Sequence, residues 1–314
     1  MDGRLAVATL LVAAGAALAG CGSDAGSLSM TAVDDATLAE RASYDLGGED
    51  PFETMEARIV RAAIANGSTT RNASREFVRG GRAYRYGGAY YDVSVHVVGT
   101  VSGYGGGVRI DYNTTDFDGE AVAYGDLPAV DRRALEPLFS GPREDRDEGF
   151  DLGVPVAYTD EEANRSMLVP DQRYDAVVYE GETYRITADG VERQRLRTIR
   201  YEATRLADSA QSFATHLTDR YAFTLSGLSD GERDVVESAT GGTYTAESAD
   251  DEGFADVVER FRSHDAVTED SGAGDWIVRY DGQLYWAELE YGGFVTASGP
   301  VVTRPSATPP PEDR

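Results

Sequence analysis

Apolar residues follow two different periods along this chain. Around three short turns they fall at every second position, and ahead of each turn they fall at helical spacing. The turns share the pattern Tyr-x-Gly-x-x-Tyr: Tyr86-Gly87-Gly88-Ala89-Tyr90-Tyr91, Tyr179-Glu180-Gly181-Glu182-Thr183-Tyr184 and Tyr280-Asp281-Gly282-Gln283-Leu284-Tyr285. In each, Gly88, Gly181 or Gly282 takes the second place of a two-residue loop, after Gly, Glu or Asp. A type I′ hairpin needs positive φ at both loop residues, so this chemistry predicts one at each site. With such a loop, Trp276, Val278, Tyr280, Tyr285 and Ala287 share one face of the third hairpin. Val177, Tyr179, Tyr184 and Ile186 do so in the second.

A helix is expected before each hairpin, over the aligned pieces 52–60, 127–135 and 228–236. In the first, apolar residues fall at 52, 55, 59, 60, 63 and 64. Asp131 and Glu232, aligned in the second and third pieces, are 101 residues apart, as are Gly181 and Gly282. The helix-to-hairpin distance is therefore 50 in both of these copies and 32 in the first, from Glu56 to Gly88. Apolar stretches at 121–124 and 222–225 lead into the second and third helices, and others at 108–112 and 196–203 follow the first two hairpins. A smaller echo relates Asp147-Glu148-Gly149-Phe150 to Asp251-Glu252-Gly253-Phe254. The fold class is α+β. We expect three related modules at 34–118, 119–217 and 218–297, each a helix packed on a small antiparallel sheet with a type I′ hairpin.

Residues 1–20 have the shape of a signal peptide. A short start with one Arg precedes an apolar run at 5–18, too short for the ~20 helical residues that cross a bilayer. The run ends in Leu18-Ala19-Gly20-Cys21, which resembles the lipobox of prokaryotic lipoproteins. The resemblance implies cleavage before Cys21, a lipid on its thiol, and a protein anchored to the outer face of the cell membrane. Residues 21–33 are rich in Gly and Ser and read as a flexible tether. Residues 298–314 hold five of the eleven prolines and read as a disordered tail.

Composition narrows the function. Asp and Glu total 55 against 29 basic residues, all of them Arg, for a net charge of −26. A surface this acidic repels phosphate, so nucleic acid is excluded as a partner recognised through a basic patch. Cys21 is the only cysteine, which removes disulfide frameworks and multi-Cys metal sites. The acid excess with no Lys resembles proteins of extremely halophilic archaea, where molar salt shortens the Debye length to ~3 Å and screens self-repulsion. All four asparagines, Asn66, Asn72, Asn113 and Asn164, lie in N-x-[ST] sequons and are candidate glycosylation sites.

Motifs that carry chemistry are sparse. Gly227-Leu228-Ser229-Asp230-Gly231 matches G-x-S-x-G, with His264 downstream. Glu232 three residues after Ser229 instead makes a capping box, and Pro128 takes the matching position in the second copy. Gly103-Tyr104-Gly105-Gly106-Gly107 lacks the Gly-Lys of a phosphate loop and is expected to be a loop between strands. His96, His216 and His264 are far apart. Asp145, Asp147, Gly149 and Asp151 depart from calcium-loop spacing. No metal or cofactor is assigned. Tyr84, Tyr86, Tyr90 and Tyr91 offer a sugar- or peptide-binding platform or cross-strand packing. The expectation is a non-enzymatic, lipid-anchored surface protein whose partners are the membrane, through Cys21, and an envelope protein or glycan. The alternatives are a solute- or glycan-binding lipoprotein with a Tyr-lined groove, and a serine hydrolase using Ser229 and His264.

Overall fold

The computed structural model describes residues 25–47, 54–79, 81–112, 117–139 and 152–294. The chain opens with β1 (Gly26–Ala32), α1 (Asp35–Arg41), β2 (Ser43–Asp45), α2 (Met55–Asn66), β3 (Ser68–Ala73), β4 (Ala83–Tyr86) and β5 (Ala89–Asp111). Then come β6 (Ala121–Ala123), α3 (Ala129–Phe139), β7 (Leu152–Thr159), the single turn α4 (Asp160–Ala163), β8 (Ala176–Tyr179) and β9 (Glu182–Ala207). The last third holds α5 (Ala210–Tyr221), β10 (Phe223–Thr224), α6 (Asp230–Gly241), β11 (Thr243–Ala246), α7 (Glu252–Arg262), β12 (Thr268–Asp270), β13 (Ala273–Tyr280) and β14 (Gln283–Glu290). Helices and mostly antiparallel strands assemble into two sheets, an α+β fold.

Local chemistry sets the expected elements. Thr54 caps α2 by accepting from the Ala57 amide at 3.1 Å, and Gly67 ends it at φ 77°. Pro128 precedes α3, and its carbonyl accepts from Asp131 and Arg132. All three hairpins have two-residue loops, with Tyr86 paired to Ala89, Tyr179 to Glu182 and Tyr280 to Gln283. Both loop residues have positive φ in each: Gly87 59° and Gly88 81°, Glu180 52° and Gly181 87°, Asp281 46° and Gly282 77°.

The smaller sheet runs β10-β13-β14-β1-β11, with β12 on the flank of β13. Its position for β1 corrects the tether expected over 21–33. Residues 26–32 form a central strand, with Leu28 opposite both Leu289 and Tyr244. Serines alternate with Leu28 and Met30, which are buried against α6 and α7, so a two-residue period overrides the flexible composition. Gly26 is required here because a Cβ would lie 2.6 Å from the Phe254 ring and from the Glu290 carbonyl oxygen.

The larger sheet is built on a ribbon of two long strands, β5 of 23 residues and β9 of 26. They stay paired from Tyr90 opposite Ala207 to Asp111 opposite Arg185. This corrects two expectations. The stretch at 108–112 is the end of β5 and the turn after it, 196–203 belongs to β9, neither is an extra strand, and 103–107 lies within β5 rather than in a loop. The glycines there admit neighbouring backbone. A Cβ on Gly103 would sit 2.2 Å from the Tyr158 carbonyl oxygen, and one on Gly106 would sit 2.7 Å from the Val191 Cα. The module boundary at 217/218 also falls inside α5, and the ribbon joins 34–118 and 119–217 in one sheet.

Strand order repeats across the two sheets. It is β2-β4-β5-β9-β3 at one end of the ribbon, β6-β8-β9-β5-β7 at the other, and β10-β13-β14-β1-β11 in the smaller sheet. In each set the first pair is parallel and the rest are antiparallel. Helices α2 and α3 cover the two ends of the ribbon, and α6 with α7 covers one face of the smaller sheet. Helices α1 and α5 lie between the sheets. Leu38, Phe213 and Leu217 pack on Ile277 and Trp286 from one sheet and on Tyr90 and Ala207 from the other. Tyr90 and Phe213 stack at 4.3 Å.

Candidate functional site

The layer formed by α1 and α5 covers only part of the smaller sheet. Ile277 and Trp286 face it, and the strands β13 and β14 then continue on that face with Asp275, Glu288 and Glu290. These carboxylates line an open cleft of about 970 Å³ between the two sheets. Asp275 and Glu288 are direct cross-strand partners, an arrangement of like charges that destabilises a sheet. Thr268 donates its hydroxyl to Asp275, and Tyr291 donates to Glu269 at 2.7 Å. Burial and the adjacent Glu269 push the Tyr291 hydroxyl up to about 12.

The facing wall is cationic. Arg41 ends α1, Arg220 lies in the last turn of α5 one turn beyond His216, and Arg79 and Arg82 come from the approach to β4. Arginine suits a helix C-terminus, where the carbonyls present negative charge. Arg82 stacks over Tyr44 at 4.2 Å and Arg220 over Tyr221 at 5.1 Å, which holds both guanidinium planes in place. Arg41 reaches Glu288 at 3.6 Å and ties the two walls together. A carboxylate floor facing an arginine wall can receive a ligand that carries both signs of charge.

The residues singled out from the sequence lie elsewhere, apart from His216. Cys21, Asn113, the Asp145–Asp151 stretch and the tail fall outside the described residues. Asn66 and Asn164 are exposed. Asn72 sits half-buried in β3 and accepts from the Thr198 hydroxyl at 2.9 Å. The four tyrosines do not form a platform. Tyr84 is buried and donates to Glu56 at 2.5 Å, Tyr90 is buried against Phe213, and only Tyr86 among them is an exposed large apolar residue. Tyr84, Tyr86 and Tyr91 share one face and Tyr90 takes the other, and the burial of Tyr84 and Tyr90 beneath helices corrects the expected Tyr-lined groove.

Ser229 caps α6. Its oxygen accepts from the Glu232 amide at 3.2 Å, and the Glu232 carboxylate accepts from the Ser229 amide at 2.7 Å. His264 stacks on Phe223 at 4.1 Å, and no hydrogen bond joins it to Ser229 among the described residues. Glu232 also takes Arg260 at 2.7 Å, which with the Ser229 amide outweighs burial and holds its carboxyl below the usual range. No group of three or more His, Cys, Asp or Glu among the described residues is placed to hold a metal ion. No helix among them is long and apolar enough to cross a membrane.

Sequence reasoning missed the buried acid of α3. Asp131 is fully buried and accepts three hydrogen bonds, from Ser166 at 2.6 Å, the Met167 amide at 2.8 Å and Tyr158 at 3.0 Å. Its aligned counterparts also reach a partner on another element, Glu56 to Tyr84 and Glu232 to Arg260. The shared position was visible in the alignment of the three helices; its burial was not. No family model, curated protein or solved structure matches the chain.

Proposed function

We propose that this chain is a non-enzymatic, lipid-anchored protein of the outer cell surface that binds an envelope partner in the cleft between its sheets. The observation that carries the reading is the cleft itself, with Asp275 and Glu288 paired on its floor and Arg41, Arg82 and Arg220 on its wall. Binding fits the Ser229 geometry, where the hydroxyl is engaged as a helix cap. It replaces the Tyr-lined groove with a charged one, which selects a ligand of mixed charge such as a peptide segment.

The anchor is Cys21, and the architecture is three related modules with type I′ hairpins. Three sets of strands with one order and one pattern of directions, and positive φ at all six loop positions, support the modules. Cys21 precedes β1 by only five residues, which span at most ~18 Å when extended, so a lipid on it holds the smaller sheet close to the bilayer. The three sequons among the described residues, Asn66, Asn72 and Asn164, stand on the other sheet or its helices, with Asn66 and Asn164 exposed for glycans.

Two comparisons test the reading, both in molar KCl. Cys21→Ser moves the protein from the membrane fraction to the medium; retention in the membrane with normal mobility removes the anchor. For the cleft, solubilised envelope is passed over wild type and over the Arg41→Ala/Arg220→Ala variant. A partner held by the wild type and lost by the variant supports the site. Equal recovery by both, or none by either, overturns it.

A further inference from the structure

A second cavity, of about 410 Å³, opens where α2 and α3 meet over β3 and β7. Three arginines line it: Arg58 from α2, Arg71 from β3 and Arg133 from α3. Arg58 bridges to Glu136 at 2.7 Å, from one helix to the other, and Arg133 pairs with Glu162 of α4. Arg71 is half-buried, and its side chain makes no hydrogen bond or ion pair with any described residue. Among the described residues, three arginines against two glutamates give the lining one positive charge in excess, in a chain whose net charge is −26. We propose that this cavity is a binding site for a tetrahedral oxyanion, sulfate or phosphate, either free or carried on a sugar.

The placement of the arginines argues for a ligand. Burying a guanidinium that no described residue pairs is unfavourable, and a bound anion removes that cost through charge-assisted hydrogen bonds. Burial, followed by the nearby Arg58, lowers the Arg71 pKa, as expected for a cation short of a counter-charge. Arg58 and Arg133 occupy the same position in the aligned helices, so two copies of one residue converge on the cavity. The third aligned helix, which meets no such neighbour, carries Asp234 there. Donors from three separate elements surround a ligand rather than face one edge of it, which suits four oxygens better than a planar carboxylate. Thr69 shares the Arg71 face of β3 and adds a neutral hydroxyl to the lining. The volume holds about a dozen waters at ~30 Å³ each, so an attached sugar also fits. This site is separate from the proposed cleft and does not depend on it.

Equilibrium dialysis of the whole protein against labelled sulfate and labelled phosphate tests the proposal, with KCl fixed at a molar concentration so that screening is constant. The expected result is one saturable site per chain. Arg71→Gln weakens it at least tenfold, Arg71→Lys weakens it less, and Arg279→Gln in the other sheet, outside the cavity lining, leaves it unchanged. Without added oxyanion, Arg71→Gln melts no lower than wild type, which a purely structural arginine would not allow. A sugar monophosphate that binds more tightly than inorganic phosphate identifies a carried anion; equal binding identifies the free ion. Absence of saturable binding by the wild type, or binding that survives Arg71→Gln intact, overturns the proposal.

Discussion

Removing the Asp131 carboxylate should unsettle α3 and its end of the ribbon more than any surface change. Asp131→Ala leaves two hydroxyls and one backbone amide, those of Tyr158, Ser166 and Met167, without their acceptor in a site that excludes water. Each orphaned buried donor costs about 1–3 kcal/mol. The Tyr158 and Ser166 hydroxyls can turn toward each other and recover part of that, so the expected loss is about 3–5 kcal/mol. Asp131→Asn keeps one carbonyl oxygen in nearly the same volume, serves two of the three donors, and should cost about 1–2 kcal/mol. The assay is urea unfolding at fixed molar KCl, followed by far-ultraviolet circular dichroism. Tryptophan fluorescence is a built-in comparison, because both tryptophans, Trp276 and Trp286, lie in the smaller sheet. The dichroism midpoint should fall further than the fluorescence midpoint. An Asp131→Ala variant within 1 kcal/mol of wild type, or no milder an effect from Asn, would refute the reasoning.

Three further outcomes follow from the same geometry. Ser229→Ala should lower stability by about 1 kcal/mol while Ser229→Asp stays near wild type, read as melting temperature, because either oxygen caps α6. Stability should fall as pH drops below about 4.5, because Glu232 and Glu162 titrate lower when folded than their ordinary value of 4.5. Such carboxylates stabilise above the unfolded pKa and stop doing so as pH passes through the lower folded value, so a melting temperature flat from pH 6 to pH 2 would contradict it. The melting temperature should also rise from millimolar to molar KCl, since 55 acids against 29 arginines repel in the compact state; no change would remove the halophile argument.

The sequence was most readable where structure is decided within a few residues. The positive φ of Gly88, Gly181 and Gly282 follows from their place in two-residue loops, and Ser229 with Glu232 defines the start of α6 without reference to the rest of the chain. Readings failed where a distant partner decides. Gly103 and Gly106 look like loop glycines until Tyr158 and Val191 are seen pressing on them. Residues 26–32 look like a tether until β14 and β11 close on both edges. The cleft was hidden for a related reason. Alternation groups Trp276 and Val278 on one face of the hairpin and says nothing of what covers Ile277 and Trp286 on the other, which α1 and α5 bury. Once Ile277 and Trp286 are buried, Asp275 and Glu288 become the floor of a cleft instead of ordinary surface acids. Asp131 was one acid among 55, and only tertiary packing separates it from the others.

The strand at the fourth position of each set explains how the two ends of the larger sheet are joined, and it carries one more test. In the larger sheet the two sets complete each other: β9 lies between β5 and β3, while β5 lies between β9 and β7. Each long strand therefore serves its own set with one half and its neighbour with the other, which is why β5 and β9 are so much longer than the other strands. The smaller sheet has no such neighbour, and β1 takes the same position between β14 and β11. A strand read as part of a flexible tether is thus structurally equivalent to half of β5 or β9. It follows that β1 holds the smaller sheet together. Leu28 is fully buried at its centre, in the cluster with Trp276, Phe254 and Leu289, so Leu28→Ala should cost about 2–5 kcal/mol. Urea unfolding at molar KCl, read by tryptophan fluorescence, should show that loss, whereas Ser29→Ala one residue on should cost little because Ser29 faces the other way. Because only four residues separate Cys21 from β1, a lipid there would attach the membrane to a central strand rather than to a free arm. If Leu28→Ala unfolds with an unchanged fluorescence midpoint, β1 is dispensable and the equivalence with β5 and β9 fails.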